Sequence, residues 1–399
     1  MSPAPIPGTP RLLRALNDRA ALELLLTKGP LTRAQLGELT GLSKVTASQL
    51  VERLEERGLV ARVGELAGGR GPNAQMYAVV PATAYVVGVE VGPQHVVAAA
   101  VDITGKISGR VDVSIGETDD PVRVVHAAVV EAAEAAGAPL TRVRRVVLGT
   151  PGLVEPTTGE ISFAWDLPKW HRGLLGALRA DLDRPVVFEN DVNLAAIAEQ
   201  HTGAAVGVSD FVLVWVGRGV GLAVILGGKL HRGATGAAGE IGYLPVPGSP
   251  VPRDISRRTK GRALEGSFQQ LISADAVRAV ARDHGFKAAS GAEAVRAAIA
   301  AGTKGGPVLD EIAGRLALGV AGVGVVLDPT LVVLAGDVGQ AGGAALAHRV
   351  EHEVAAITPV SPRVVSTEVA SEPVLNGALL TGLETVREEV FGSTVDAAT

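Results

Sequence analysis

The chain has 399 residues, 47% of them hydrophobic and 20% charged, with a formal net charge of −5. That balance excludes a disordered chain and gives enough length for two or three packed domains. Cysteine is absent, so disulfides and thiolate metal sites are excluded. The start lacks a basic segment leading into an apolar core, and no apolar run reaches the roughly 18 residues of a membrane span. The expectation is a soluble cytoplasmic protein.

Residues 30 to 80 have the pattern of a winged helix-turn-helix. Thr32 is followed three places on by Gln35, a capping-box spacing in which each side chain satisfies an orphan backbone N–H. Leu36 and Leu39 supply the apolar face of that helix, and Gly41 is placed to end it in a left-handed turn. Ser43 caps a second helix running to about Arg57, with Ala47, Leu50, Val51 and Leu54 on one stripe. Val45, Ser48, Gln49 and Glu52 face away from that stripe. Ser43, Lys44, Val45, Thr46, Ser48 and Gln49 have the size and hydrogen-bonding range suited to base edges and phosphates in a major groove. Leu59–Val63 and Met76–Val80 fit a two-stranded wing whose tip, Gly68-Gly69-Arg70-Gly71-Pro72, presents Arg70 between glycines. A packing subdomain is the competing reading, but the order of capping box, turn glycine, second helix and arginine-bearing wing favours DNA. Residues 1–80 hold ten Lys/Arg against seven Asp/Glu, and the remainder 27 against 35. A basic head on an acidic body is compatible with orientation toward phosphates.

From residue 81 the pattern is that of an α/β body. Tyr85–Val91 and His95–Val101 read as a hairpin, with a third strand at about Gly109–Ser114 and a helix at about Val122–Ala136. Arg144–Leu148 and Val186–Glu189 read as strands, the second ending in Glu189-Asn190-Asp191 before a helix at Leu194–Gln200. Asp210–Val216 and Val220–Leu226 form a second hairpin. Helices follow at Ala274–His284, Gly291–Ala301 and Pro307–Leu327, then a buried strand at Leu331–Ala335 and a closing helix at Pro373–Val390. A hairpin followed by strand–helix alternation, occurring twice, predicts two similar lobes around a cleft. The expected domains are 1–80 and 81–399.

Gly236-Ala237-Ala238-Gly239-Glu240-Ile241-Gly242, preceded by Gly228-Lys229-Leu230 and Arg232-Gly233-Ala234, resembles the central signature of the ROK family of repressors and sugar kinases. Glu189-Asn190-Asp191-Val192-Asn193 resembles its catalytic-base segment, and Leu167-Pro168-Lys169-Trp170 the loop between them. Leu42 to Ser48 and the Gly-Gly-Arg wing tip resemble the DNA-binding half of the family's repressors. The resemblance covers nearly the whole chain. It implies a two-lobed actin-like (ribonuclease H-like) sugar-kinase-type body behind the winged helix-turn-helix domain.

The resemblance assigns sugar hydroxyls to Asn190, Asp191, Glu240 and Glu265, with Asp191 at the position of the family's catalytic base. Carboxylates accept from vicinal hydroxyls, and an amide both donates and accepts. The alternative for Asp191 is a cap on the following helix. Asp166, flanked by Trp165 and Trp170, stands where the family often has asparagine. Tyr243 replaces a histidine that in the family meets both sugar and zinc, and the three zinc cysteines are absent, so no metal is expected. Tyr243 is expected to supply a hydroxyl in that histidine's place. Where the zinc loop would lie, Pro247 to Arg262 is proline-rich and basic.

The family's ATP-binding turns are altered. The first, an Asp-x-Gly-x-Thr-type turn in the family's kinases, reads Glu90-Val91-Gly92-Pro93-Gln94, with glutamate for the aspartate, and Pro93 removes an N–H from a phosphate-wrapping turn. The second, Gly-Thr-Gly in the family's kinases, reads Gly217-Arg218-Gly219, with arginine for the small hydroxyl residue, and a glycine-rich turn bordering adenosine reads Ala335-Gly336-Asp337-Val338-Gly339. Together these predict a sugar-responsive DNA-binding regulator, a repressor, that binds a sugar or sugar derivative without phosphorylating it and needs no cofactor. A double-stranded DNA operator and a second copy of the chain are the expected partners. An ATP-dependent sugar kinase, and a ligand-free body serving as a dimerisation platform, are the alternatives.

Overall fold

The structure is a computed structural model describing residues 10–67, 73–92, 94–116, 119–163, 173–251, 265–369 and 371–396. The head comprises α1 (Pro10–Lys28), β1 (Leu31–Thr32), α2 (Arg33–Thr40), α3 (Lys44–Glu56), β2 (Val60–Leu66) and β3 (Ala74–Val79). Local chemistry sets these elements as expected. The Thr32 side chain accepts from the Gln35 N–H while the Gln35 side chain accepts from the Thr32 N–H, and Gly41 closes α2 in the left-handed region. Ala47, Leu50, Val51 and Leu54 are all buried. The wing strands β2 and β3 pair antiparallel, with a slip between Arg62 and Gly64, and β1 joins β3 to make three strands. The wing tip, including Arg70, lies outside the described residues. Helix α1 was not anticipated.

In the first lobe, β4 (Tyr85–Val91), β5 (His95–Asp102), β6 (Ile107–Ser114), β7 (Val143–Thr150) and β10 (Val186–Asn190) form a sheet in the order β10-β7-β4-β5-β6. Helices α4 (Pro121–Ala135) and α5 (Leu174–Leu182) cover it, and β8 (Leu153–Val154) and β9 (Ile161–Phe163) form a small side ribbon. Helix α6 (Asp191–Thr202) then leads into the second lobe. There β11 (Phe211–Val216), β12 (Val220–Leu226), β13 (Lys229–Leu230), β14 (Leu331–Ala335) and β15 (Arg363–Ser366) take the order β13-β12-β11-β14-β15. This sheet packs with α7 (Phe268–Ile272), α8 (Ala274–Asp283), α9 (Gly291–Ala300), α10 (Gly306–Leu327) and α11 (Gly336–Ile357). In each lobe an antiparallel hairpin is extended by parallel strands, so the expected two-lobed α/β body is what the chain forms. One reading is corrected. Gly336 to Gly339, expected as a turn, is the first turn of α11, because Gly336 takes φ +75° and lets the helix start against the Val216 carbonyl.

The closing helix α12 (Pro373–Asp396) packs on β4, β5, β7, α6 and α1. One continuous apolar cluster includes Ala21, Leu22 and Leu25 of α1, Leu50 and Leu54 of α3, Val86 and Val101 of the first sheet, and Leu379, Leu383 and Val386 of α12. Head and body therefore share a core. Truncating Leu379, which is buried in it, should cost about 2–5 kcal/mol. Hydrogen exchange on Leu379→Ala should rise in α1 and β4 together. Protection lost in the body alone would show that the shared cluster does not hold the head.

Candidate ligand cleft and nucleic-acid interface

The cleft forms where the strand ends of both lobes meet. Strands β7 and β10 run parallel, pairing Asn190 with Thr150, so both chains leave the sheet at the same level. Asn190 is the cap of α6: its Oδ1 accepts from the Asn193 N–H at 3.1 Å, and its Nδ2 donates to the Gly152 carbonyl at 3.0 Å. The capping role considered for Asp191 therefore belongs to its neighbour. Asp191 is the first helical residue, its Oδ1 accepting from the Val192 N–H at 2.9 Å. One amide fixes the helix start and the β7 turn together, and the next carboxylate is presented at the cleft wall.

The preceding residue, Glu189, is buried, and its carboxylate accepts three hydrogen bonds. Two come from the Asn190 backbone N–H and the Asn193 amide at 2.9 Å each and the third from Arg232 Nε at 2.8 Å, with Arg232 Nη2 completing the ion pair at 2.7 Å. Arg232 leads into the glycine-rich signature, so this ion pair fastens the second lobe's loop to the first lobe's strand. The signature itself runs between the lobes. At Gly236 (φ +82°) and Gly239 (φ +99°) a Cβ would collide with the carbonyls of Val154 and Leu222 respectively, so neither position tolerates a side chain. The Leu222 N–H donates to the Gly239 carbonyl at 2.8 Å, which sets Glu240 beside β12.

The resulting cleft has a volume of about 660 Å³, within the roughly 300–1,000 Å³ of small-molecule sites. Asn190, Asp191 and Glu240 line it together. Tyr243, half-buried, and Glu265, exposed, are not among the lining residues. Asp166, Trp165, Trp170 and most of the basic loop, from Arg253 to Arg262, lie outside the described residues. With no cysteine and Tyr243 at the histidine position, the donor set does not fit a tetrahedral zinc.

Positions that the resemblance matches to the family's ATP-binding turns also face this space. Arg218 lines the cleft, and its loop is braced by buried Gln269, which accepts from the Val220 N–H at 2.7 Å and donates to the Arg218 carbonyl at 2.8 Å. Asp337 enters from the first turn of α11. Glu90, at the end of β4, was not named as a ligand residue, but it lines the cleft beside Asp191. Burial, reinforced by the charges of Asp191 and Glu372, pushes its carboxyl up to about 7, against the pull of a hydrogen bond from the Leu375 backbone. Its sequence signal was the departure from aspartate in the first ATP turn.

The helix expected from its sequence to read DNA is α3. The Ser43 hydroxyl accepts from the Thr46 N–H at 3.2 Å and lies 2.9 Å from the Thr46 hydroxyl, so both are engaged in the cap. Lys44, Val45 and Gln49 are exposed and Ser48 half-buried. Behind this face, buried Asp18 of α1 pairs with Arg53 of α3 at 2.6 Å, and Arg53 also donates to the Gln49 carbonyl at 3.2 Å. Arg33 lies 5.3 Å from the Tyr77 ring centroid, a cation–π contact tying α2 to the wing. Neither Asp18 nor Arg53 stood out in the sequence.

Glu90 gives the cleft a pH signature. In the unfolded chain it titrates near its ordinary 4.5. From there up to about 7 the folded state holds the extra proton, so stability falls as pH rises through that window. Glu90→Gln should remove this slope and stabilise the protein above the window by up to about 3 kcal/mol. Urea unfolding at about pH 5 and about pH 8 measures it. A slope identical to the parent's would mean that Glu90 is ionised throughout.

Comparison with known proteins matches the same two parts. The ROK family model matches residues 86–382 and the MarR family model residues 15–71. A putative xylose repressor of Caldicellulosiruptor sp. is 25% identical over 348 residues, covering 82% of this chain and 84% of that one. The DNA-binding transcriptional dual regulator NagC of Escherichia coli is 26% identical over 242 residues, 60% of this chain and 59% of its own length. Among solved structures, the ROK hexokinase from Thermus thermophilus has a TM-score of 0.62 at 27% identity, covering 76% of this chain and 99% of that one. A ROK family transcriptional regulator, homologous to the E. coli MLC protein, has a TM-score of 0.73 at 20% identity, covering 96% and 99%, and shows the shared fold across head and body. With 297 consecutive residues matched, the chain belongs to the ROK family and carries a MarR-like helix-turn-helix domain in front of its ROK body.

Proposed function

We propose that this chain is a sugar-responsive DNA-binding transcriptional regulator, a repressor, whose body binds a sugar or sugar derivative without phosphorylating it. The observation that carries the reading is the joining of two sites through one core. An exposed α3 face bearing Lys44, Val45 and Gln49 sits on the apolar cluster that also holds α12, whose first turn borders the cleft of Asn190, Asp191 and Glu240. The relatives named as xylose repressor and as transcriptional regulator NagC support it.

Binding without phosphorylation rests on the cleft's charge. Phosphoryl transfer needs phosphate neutralised by cations and backbone donors. Among the described residues, Glu90, Asp191, Glu240 and Asp337 face one arginine and one histidine across the space. Arg218 supplies a cation, but at a position where the family's kinases have a small hydroxyl. Carboxylates around neutral hydroxyls are instead a good match for a sugar. Tyr243 and Glu265 would join the site if the lobes close, and a dimer on paired half-sites is the DNA-binding form this reading requires.

The kinase reading is kept by one observation, the presence of Asp191 at the cleft wall. The two are separated by assaying ATP-dependent phosphorylation over a sugar panel alongside calorimetry and operator footprinting. The expected result is saturable sugar binding with no turnover. Asp191→Asn should weaken sugar binding by at least about tenfold (about 1.4 kcal/mol) and leave footprints in place. Gln49→Ala should do the reverse, costing about 1–3 kcal/mol in operator affinity. Robust turnover abolished by Asp191→Asn would establish the kinase instead.

A further inference from the structure

A second concavity lies at the seam between head and body, away from the sugar cleft. Its volume is about 500 Å³, and its walls include Arg57 after α3, Thr83 of the link, Arg142 and Arg144 at the start of β7, and Glu389 of α12. Among the described residues three guanidiniums therefore face one carboxylate, and that carboxylate is already paired with Arg145. Arg142 and Arg144 are exposed and have no carboxylate partner among the described residues.

The backbone aims one of these arginines. Where β7 runs beside β4, Tyr85 sits opposite Val143 and Val86 opposite Arg145, so the register slips by one residue and Arg144 has no partner. Bulges in parallel pairs are uncommon and re-aim a side chain at a particular place. Without the slip, the exposed Arg144 would occupy a paired position in a sheet whose neighbouring residues are buried. The link wall is set by the Thr83 hydroxyl, which donates to the Val80 carbonyl at 2.8 Å. Like charges gathered round one space repel, and guanidiniums recognise the oxygens of a phosphate in bidentate fashion.

We propose that this seam is a second effector site that takes a small phosphorylated molecule, bound by Arg57, Arg142 and Arg144. Because the arginines come from head and body, such a ligand would favour the head orientation in which all three converge, independently of the sugar cleft.

The test is calorimetry on the full chain with pyrophosphate and inorganic phosphate, against sodium chloride of equal ionic strength. Saturable binding is expected, tighter for pyrophosphate, weakened at least about tenfold in the Arg142→Gln/Arg144→Gln double variant. The exposed positions should leave its melting temperature at the parent's value, and Arg142→Lys/Arg144→Lys should recover part of the affinity. Heats no larger than those of sodium chloride, or full affinity in the double glutamine variant, would overturn the proposal. So would loss of binding on Arg218→Ala with none in the double variant, which places the anion in the sugar cleft. Weakened operator binding in the double variant without saturable pyrophosphate binding would assign these arginines to the DNA backbone and also overturn it.

Discussion

Helix α12 is the constraint on which the rest of the molecule depends. It is the last helix in the chain, yet it fills the centre of the apolar cluster that joins the head to the first lobe. Its N-terminal turn supplies Val374 to the cleft wall and the Leu375 N–H to Glu90. Further along, Leu383 and Val386 share a cluster with Leu22 and Leu25 of α1. Burying both faces of one helix between a sheet and a second domain makes the domains mutually dependent. A small head with its own limited core gains apolar area from this contact that it could not bury alone.

Charge is used in the interior mainly to fix geometry. Glu199 of α6 is fully buried, and its carboxylate accepts from the Ala204, Glu368 and Val369 backbone N–H groups and the Thr367 hydroxyl. The loop it gathers leads directly into α12. Arg110 of β6 pairs with Glu372, which holds a left-handed φ of +48° one residue before that helix begins. Glu189 and Arg232 fasten lobe to lobe, and Asp18 and Arg53 fasten α1 to α3. In the last two pairs the carboxylate is buried, so removing its arginine strands a buried charge, whereas the Arg110–Glu372 pair is solvent-exposed and contributes little. Their common property is that each joins elements whose relative placement the apolar core alone would leave adjustable.

What the sequence discloses divides along the range of the interactions involved. The Thr32–Gln35 capping box, the Gly41 cap and the α3 stripe are complete within a few residues, and they stand as read. The cleft trio of Asn190, Asp191 and Glu240 was legible through the family resemblance, since nothing local announces that residues so far apart will meet. Helix α1 was missed because much of its buried face acquires meaning against α12, at the other end of the chain. Helix α11 was hidden by a glycine-rich start and by Gly343, whose non-helical backbone kinks it. Asn190 rather than Asp191 caps α6 because Asn190 keeps extended dihedrals and Asp191 is already helical, a one-residue distinction that spacing does not carry. The proton held by Glu90 depends on burial and on two carboxylates distant in sequence.

These ties define what ligand binding can do. A sugar in the cleft alters the head only if it binds one arrangement of the lobes more tightly than another, since equal affinity shifts no equilibrium. The lobes are latched by Glu189 and Arg232, and the cleft touches α12 at its first turn. A closure that moves this turn acts on a 24-residue helix whose later turns pack against α1 as well as the first sheet. From α1, the buried Asp18 acts on Arg53, which in turn holds the Gln49 carbonyl of α3. Contiguity of this kind permits coupling. The physical requirement is that closing the lobes be incompatible with the present seating of α12, and the shared core is what makes such an incompatibility felt at the head.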